Sequence, residues 1–466
     1  MAGCRVALLV WAIASGAALS GCATYSDSFG AIEHSLSTGK YEGALREIEK
    51  QSGSKTGQVL YFLDKGMVLR MKRDFAGSNK ALAAAKAEME RLYAASISEN
   101  ALSFIVNDAT VSYAGDGYEQ VLVHLYMALN YLELGQLDEA RVEALQVDIK
   151  LREIGEKIPG DEFTEDAFSR YLTGLIYEDM GEWSDAMIAY RKAYEAYKKY
   201  QANYGLAMPD LLKRDLLRLA HRLGLKNEAG KYVREFGSDA SQEEGILPEH
   251  EGELVYVLNN GLAPIKRERI INATAPSSSV RVDAGTPNKQ KSPALPMMVT
   301  IALPYYQSRP NEILRARISV SGRQASTQIM EDIDAIARAS LSARMPAITA
   351  RTIARAIAKG AIQKSVDRAG KSRNNDPAVE LLGSLLVRVA AVATERADTR
   401  SWLTLPSNIQ LARLSLPPGS YNVSVDLLGK DEQIVATQEF PGVVINEKRK
   451  TYLTQHWVPI STTTRR

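Results

Sequence analysis

The side chains able to do chemistry are dispersed along this chain. His34, His124, His221, His250 and His456 stand apart, and none shows the paired helical spacing with which two imidazoles hold zinc. No Gly-x-Ser-x-Gly turn lifts a serine nucleophile and no glycine loop cradles phosphate; Gly115-Asp116-Gly117 reads as a turn between helices. Glu331, Asp332 and Asp334 form a compact acidic cluster, read as the opening of a helix, where negative charge is favourable, with a divalent cation as the weaker alternative. Asp398, Arg400 and Trp402 could mark a binding site, but an Asp–Arg pair beside a packed Trp is more simply a structural corner. The expectation is a protein that is not an enzyme, without cofactor or metal. A hydrolase whose site assembles only in space is the alternative.

One side chain has its chemistry set by its neighbours. Cys22 closes Leu19-Ser20-Gly21-Cys22, behind Arg5 and an apolar run from Val6 to Leu19. A positive start, an apolar stretch too short for a normal span and small residues at the end are the parts of a secretory signal. The tetrapeptide resembles the lipobox of bacterial lipoproteins. That resemblance implies that residues 1–21 are removed, that the Cys22 thiol is lipidated and that its new amino group takes an acyl chain such as palmitate. An ordinary cleaved signal or an uncleaved anchor is the plainer reading. Each buried methylene contributes about 0.8 kcal/mol, so several chains hold a protein durably where one does not. Ala23 stands where an Asp would imply retention at the inner membrane, so the resemblance favours the periplasmic face of the outer membrane.

The other cysteine, Cys4, lies in the segment to be removed, so the mature chain has no internal disulfide and relies on its core. With 466 residues, 45% hydrophobic and 24% charged, that core can be large and divided into about two to four domains. A net charge of +2 lacks the basic excess of a nucleic-acid binder.

The elements that must position any site change character along the chain. From Asp27 to Phe236 apolar residues recur at helical spacing, and a pattern repeats within them. Its fullest copy is Gly174, Tyr177, Gly181, Trp183, Ala186, Tyr190 and Ala193. Others run Ala128, Tyr131, Gly135, Leu137, Ala140, then Ala220, Gly224, Ala229, then Gly66, Leu69, Phe75, Leu82 with Arg73 at the turn, and Gly39, Tyr41, Ala44, Ile48. These residues resemble tetratricopeptide repeats: small residues let two helices approach, Gly ends the first, and the aromatic packs into the next layer. Gly39 and Arg73 stand 34 residues apart, the period of that repeat, but later intervals lengthen, with extra segments between Glu90 and Glu119 and between Leu151 and Asp166. The expectation is an irregular helical-repeat domain over residues 22–236.

A repeat stack presents a groove for peptide or protein. The resemblance places Tyr171, Leu175 and Glu178 in that groove, with Leu132 and Glu133 from the preceding hairpin. The alternative is that Tyr171 and Leu175 simply pack between hairpins.

Beyond the polar junction Gly237–Gly245 the chain becomes a mixed strand and helix region, 237–466, so that the fold class is α+β. Leu254–Leu258 reads as a strand meeting a turn at Asn259-Asn260-Gly261, and Ala273–Pro296 as a long loop. Leu314–Val320 alternates as a half-buried strand. Ala335–Arg373 carries nine Lys or Arg against Asp367, and Arg351, Arg355 and Lys359 fall four apart on one helix face, opposite Ala350, Ile353, Ala354, Ile357 and Ala361. That basic surface is read as a solvated face, with anionic lipid or an acidic partner as the alternative. Asp376-Pro377 opens a strongly apolar helix through Ala393, too short to span a membrane and read as buried, with insertion into a membrane or a partner oligomer as the alternative. Pro417-Pro418-Gly419 precedes the alternating Tyr421, Val423, Val425 and Leu427, and with Thr451–Val458 suggests a β-sandwich-like segment at about 403–466.

Tyr118–Leu132, Asn260-Gly261-Leu262-Ala263-Pro264, Ala397-Asp398-Thr399-Arg400-Ser401-Trp402, Leu405-Pro406 and Leu411-Ala412-Arg413, in this order, resemble an uncharacterised family of bacterial envelope lipoproteins with repeat-like N-terminal helices. The resemblance implies work beside lipoproteins of the curli-secretion or penicillin-binding-protein-activator type. It carries over no catalytic residue. It implies protein partners in the envelope and a lipid tether: an adaptor or scaffold in envelope assembly, secretion or cell-wall synthesis, with a periplasmic hydrolase as the alternative.

Overall fold

A computed structural model describes residues 25–99, 111–157, 163, 165–237, 250–275, 297–371 and 396–459. The signal segment, Cys22 and the apolar stretch 376–393 lie outside the described residues.

The chain begins with helices α1 (Tyr25–Ser28), α2 (Gly30–Ser37), α3 (Tyr41–Glu49), α4 (Gln58–Met71), α5 (Phe75–Glu99) and α6 (Gly117–Glu133). It continues through α7 (Leu137–Lys157), α8 (Ala167–Asp179), α9 (Trp183–Tyr204), α10 (Asp210–Arg222) and α11 (Lys226–Phe236). The hairpins turn where the repeat pattern places them. Gly39, Arg73, Gly135, Gly181 and Gly224 all adopt left-handed backbone, with φ between 66° and 79°. In the best repeat, Glu182 N donates to Tyr177 O at 2.9 Å and Gly181 N to Glu178 O at 3.0 Å, which satisfies carbonyls that the helix end would leave bare. Arg73 bears the left-handed strain of a side chain because its guanidinium is used, reaching Glu133 at 3.2 Å and Thr454 O at 3.3 Å. The small residues act as expected: a Cβ on Gly174 would stand 2.2 Å from the Tyr190 ring, so α8 and α9 can approach only there without one.

The strands are β1 (Gly252–Asn260), β2 (Ile265–Ala275), β3 (Met297–Gln307), β4 (Arg315–Val320), β5 (Arg323–Ser326), β6 (Gln328–Asp332), β7 (Asn408–Leu416), β8 (Gly419–Leu428), β9 (Ile434–Ile445) and β10 (Lys450–Trp457). They form one sheet in the order β10-β1-β7-β6, a second in the order β5-β4-β8-β9, and a β2-β3 ribbon. Leu254, Tyr256, Leu258, Ala412, Leu414 and Leu416 meet Ile318, Val320, Val423, Val425 and Leu427 between the two sheets. The opposite face, with Val255, Val257, Ile409, Leu411 and Tyr452, shares a core with the helices. The molecule is α+β in three layers: helices, inner sheet, outer sheet. The unbroken apolar run Leu254–Leu258 follows from β1 being covered on both faces.

Two expectations change. The β-sandwich is not built by 403–466 alone, because β1, β4, β5 and β6 supply strands to its sheets and β10 lies parallel to β1, Val255 opposite Tyr452. Alternation identifies a strand and its buried face but not its partner. β1 runs through Asn259 and Asn260 and ends before Gly261, which takes left-handed backbone (φ 71°), so of the hairpin or strand end that the sequence leaves open here the strand end is found, and β2 pairs with β3. The basic helix, α12 (Ile333–Lys371), runs through Pro346, and its faces are rotated from the expected ones. Arg351 is exposed, but Arg355 is 3% exposed and buried, whereas Ala350 and Ala354 face outward. The Lys359 side chain lies outside the described residues. Asp332 does open this helix, accepting from Ala335 N at 3.0 Å, while Glu331 turns inward to the Tyr200 hydroxyl at 2.9 Å.

Candidate functional site

The five groove residues lie on the side of the array that meets the molecule's own inner sheet. Leu132 and Leu175 are buried in the shared core. Glu133 accepts from Thr454 N at 2.5 Å and from Thr454 Oγ1 at 2.6 Å on β10. The Tyr171 hydroxyl donates to Asp215 at 2.8 Å and accepts from Arg413 at 3.1 Å. Glu178 accepts from Arg218 at 2.6 Å and from Lys450 at 3.0 Å. Arg413 also grips Glu253 with two bonds, at 2.6 and 2.9 Å, and Asp215 at 2.5 Å. The surface expected to receive a partner is therefore covered by β7 and β10 of the same chain, and these residues act as an internal clasp. Burial works against the charge on Glu178, but Lys450, Arg218 and Arg413 outweigh it and hold its carboxyl well below the ordinary value. Glu253 behaves likewise, and falls to about 2 under Arg413 and Lys450.

Sequence reasoning singled out one side of this clasp and missed the other. The available signal was the lone Arg413 between Ala412 and Leu414 in an apolar strand, a charge placed where the alternation points to the core.

A second junction joins α6, the β2-β3 ribbon, α12 and the segment 396–402. Asp116 and Glu119 cap α6 reciprocally. Asp116 accepts from Lys266 Nζ at 3.0 Å and from Arg344 at 2.9 Å, and these cations overcome burial and keep its carboxyl well below the usual range. Glu119 accepts from Asp116 N at 2.9 Å, from Trp402 N at 2.7 Å and from the Tyr113 hydroxyl. Burial, reinforced by Asp116, raises it to about 7. Its oxygens are thus engaged by structural donors instead of facing solvent. The Asp398–Arg400 pair closes at 2.7 Å, and Arg400 also ties down Val111 O at 2.8 Å and Thr56 O at 3.1 Å. Trp402 sits edge-on to Tyr126 with centroids 6.0 Å apart. Its indole N–H donates to Thr404 at 3.0 Å, and that hydroxyl donates to Asp64 at 2.7 Å.

This junction walls a cavity of ≈ 610 Å³. Among its described lining residues are Lys266, Arg344, Arg351, Arg396 and Arg400 against Asp116 and Asp398, with Ala302, Leu341 and Ile348 as apolar wall. The size suits a small ligand, and the composition favours an anion. Among the described residues no group of three His, Cys, Asp or Glu side chains converges to hold a metal, and no helix is long and apolar enough to cross a membrane. His124 pairs with Glu143 at 2.7 Å, and half-buried His456 faces Gly261 O at 2.9 Å with its pKa pushed down to about 4 by desolvation.

No family model matches the sequence, and no curated protein matches it. Solved structures that resemble the chain include a crystal structure of MamA, 15% identical, covering 43% of this chain and 89% of that one with a TM-score of 0.28. The Rap conjugation gene regulator of plasmid pLS20 in complex with the Phr* peptide is also 15% identical, covering 45% of this chain and 53% of that one at a TM-score of 0.28. Likeness at that level carries no argument about what this chain does.

Proposed function

We propose that this chain is an adaptor that binds protein partners in the cell envelope, tethered through lipid on Cys22 to the periplasmic face of the outer membrane. With the inner side of the array covered by its own sheet, partners are left the outward face. One observation carries the reading. Val142, Leu145 and Ile149 follow one another at helical spacing on α7 and are 54%, 45% and 45% exposed, and Ile188 on α9 is 48% exposed. The ion pairs Arg141–Glu182 at 3.1 Å and Lys192–Asp148 at 2.5 Å zip α7 to α9 on either side of them. Single exposed apolar residues are ordinary, but three at helical spacing on one helix, with a fourth on the segment those ion pairs join to it, mark an interaction site.

A photo-crosslinking amino acid at Leu145 tests this in intact cells. The expected result is one discrete protein adduct, lost when Val142→Asp and Ile149→Asp are added without a change in thermal midpoint. No adduct, or the same adduct from Val444, which is 53% exposed on β9, refutes the reading. The tether is tested separately: mass spectrometry should find an acylated Cys22 at the mature N-terminus, and an unmodified terminus removes the anchoring.

A further inference from the structure

The first described residues, from Tyr25 on, are seated against the rest of the fold at once. Ser26 is buried, and its hydroxyl lies 2.7 Å from Lys266 O and 3.1 Å from Thr399 O. The Tyr25 hydroxyl donates to Asp64, and Phe29 is buried beneath the Arg309 guanidinium, 5.2 Å from the ring centroid. Three steps of chain separate Cys22 from Tyr25 and span at most about 11 Å when extended. That is close to the roughly 8 Å over which exposed charges are felt at physiological salt. A body held this short stands against the surface to which its N-terminus is fixed.

What lies beside that seat is the cavity. Lys266 gives its carbonyl to Ser26 and its side chain to the cavity wall; Thr399 does the first while Asp398 and Arg400, on either side of it, do the second. We infer that this cavity is a binding site for the phosphate-bearing headgroup of an anionic lipid in the leaflet that holds the Cys22 acyl chains. The inference rests on the lipid-anchor reading for the source of the ligand. The chemistry of the site stands on the wall itself. Its described residues carry three more positive charges than negative ones, four of the five cations are arginines, and planar guanidinium forks match phosphate oxygens. Lys266 and Arg344 are oriented by Asp116, and Arg400 by Asp398, so they need little reordering to receive an anion. Ala302, Leu341 and Ile348 offer an apolar side to the glycerol end of an amphiphile. Arg351 is exposed where it contributes to the wall, which gives the site a charged rim.

The mature full-length protein in non-ionic detergent is titrated calorimetrically with dihexanoyl phosphatidylglycerol, with dihexanoyl phosphatidylcholine and with inorganic phosphate. Saturable binding of the phosphatidylglycerol, at least tenfold tighter than either of the others and weakened at least tenfold by Arg351→Glu with Arg396→Glu, is expected. Equal affinity for the two lipids, no binding, or full affinity in the double variant overturns the proposal. Binding of inorganic phosphate as tight as that of the anionic lipid overturns the lipid source and leaves a free-anion site. Arg396→Gln with Arg351→Gln serves as the milder pair if the charge reversals lower the thermal midpoint. Because the lipids are supplied in solution, a chain found unmodified at Cys22 would sink the anchor without altering the titration.

Discussion

Replacing Arg413 by Ala should loosen the clasp between helices and inner sheet. The Arg413 side chain is 8% exposed and makes four hydrogen bonds: two to Glu253, one to Asp215 and one to the Tyr171 hydroxyl. Breaking a buried ion pair from one side costs about 3–5 kcal/mol, because the abandoned charge stays out of water. Here no carboxylate is left wholly alone. Lys450 still holds Glu253 at 2.5 Å and Glu178 at 3.0 Å, and Arg218 still holds Asp215 at 2.8 Å and Glu178 at 2.6 Å. The loss should therefore sit at the low end, about 3 kcal/mol. Arg413→Lys keeps the charge but not the fork, and should lose about half as much. Urea unfolding followed by far-ultraviolet circular dichroism gives both numbers, with Lys50→Ala, in an exposed pair with Glu47, as the control that should not move. An Arg413→Ala variant within about 0.5 kcal/mol of the wild type would refute the claim that the inner side of the array is held by its own sheet.

Gly174→Ala forces a methyl group to within 2.2 Å of Tyr190 and should cost about 1–3 kcal/mol, whereas Gly181→Ala meets no neighbour and loses only the left-handed preference, about 1 kcal/mol; calorimetric midpoints should rank them in that order. Glu119 is raised to about 7, first by burial and then by Asp116. Its folded form thus keeps a proton that the unfolded chain has released, and it withdraws stability as pH rises from about 4.5 to 7. Measured against Glu119→Gln, the wild type should lose stability through that window by up to about 1.4 kcal/mol per pH unit, and a flat difference between the two would refute it. Cys22→Ser should abolish acylation, read as the loss of the acyl mass and of palmitate label.

The turn positions were legible in the sequence, since each needs only a local event: a helix ending on left-handed backbone, which glycine takes without strain and Arg73 takes because its guanidinium finds Glu133 and Thr454. The close approach at Gly174 was equally local, as was the alternation that made Tyr421–Leu427 a strand with one buried face. The α+β class follows from those local patterns. Which surfaces meet was decided only by the tertiary structure. The resemblance places Tyr171, Glu178 and Glu133 in a groove for a partner, but in the structure they are held by Arg413, Lys450 and Thr454 of the same chain, more than two hundred residues away. The basic face of α12 turned because ribbon β3 packs on that helix, which put Arg355 inside and left Ala354 outside. Periodicity states that a side of an element must be covered. It carries no record of the distant segment that does the covering, because that is settled by the summed burial and pairing of all the layers at once.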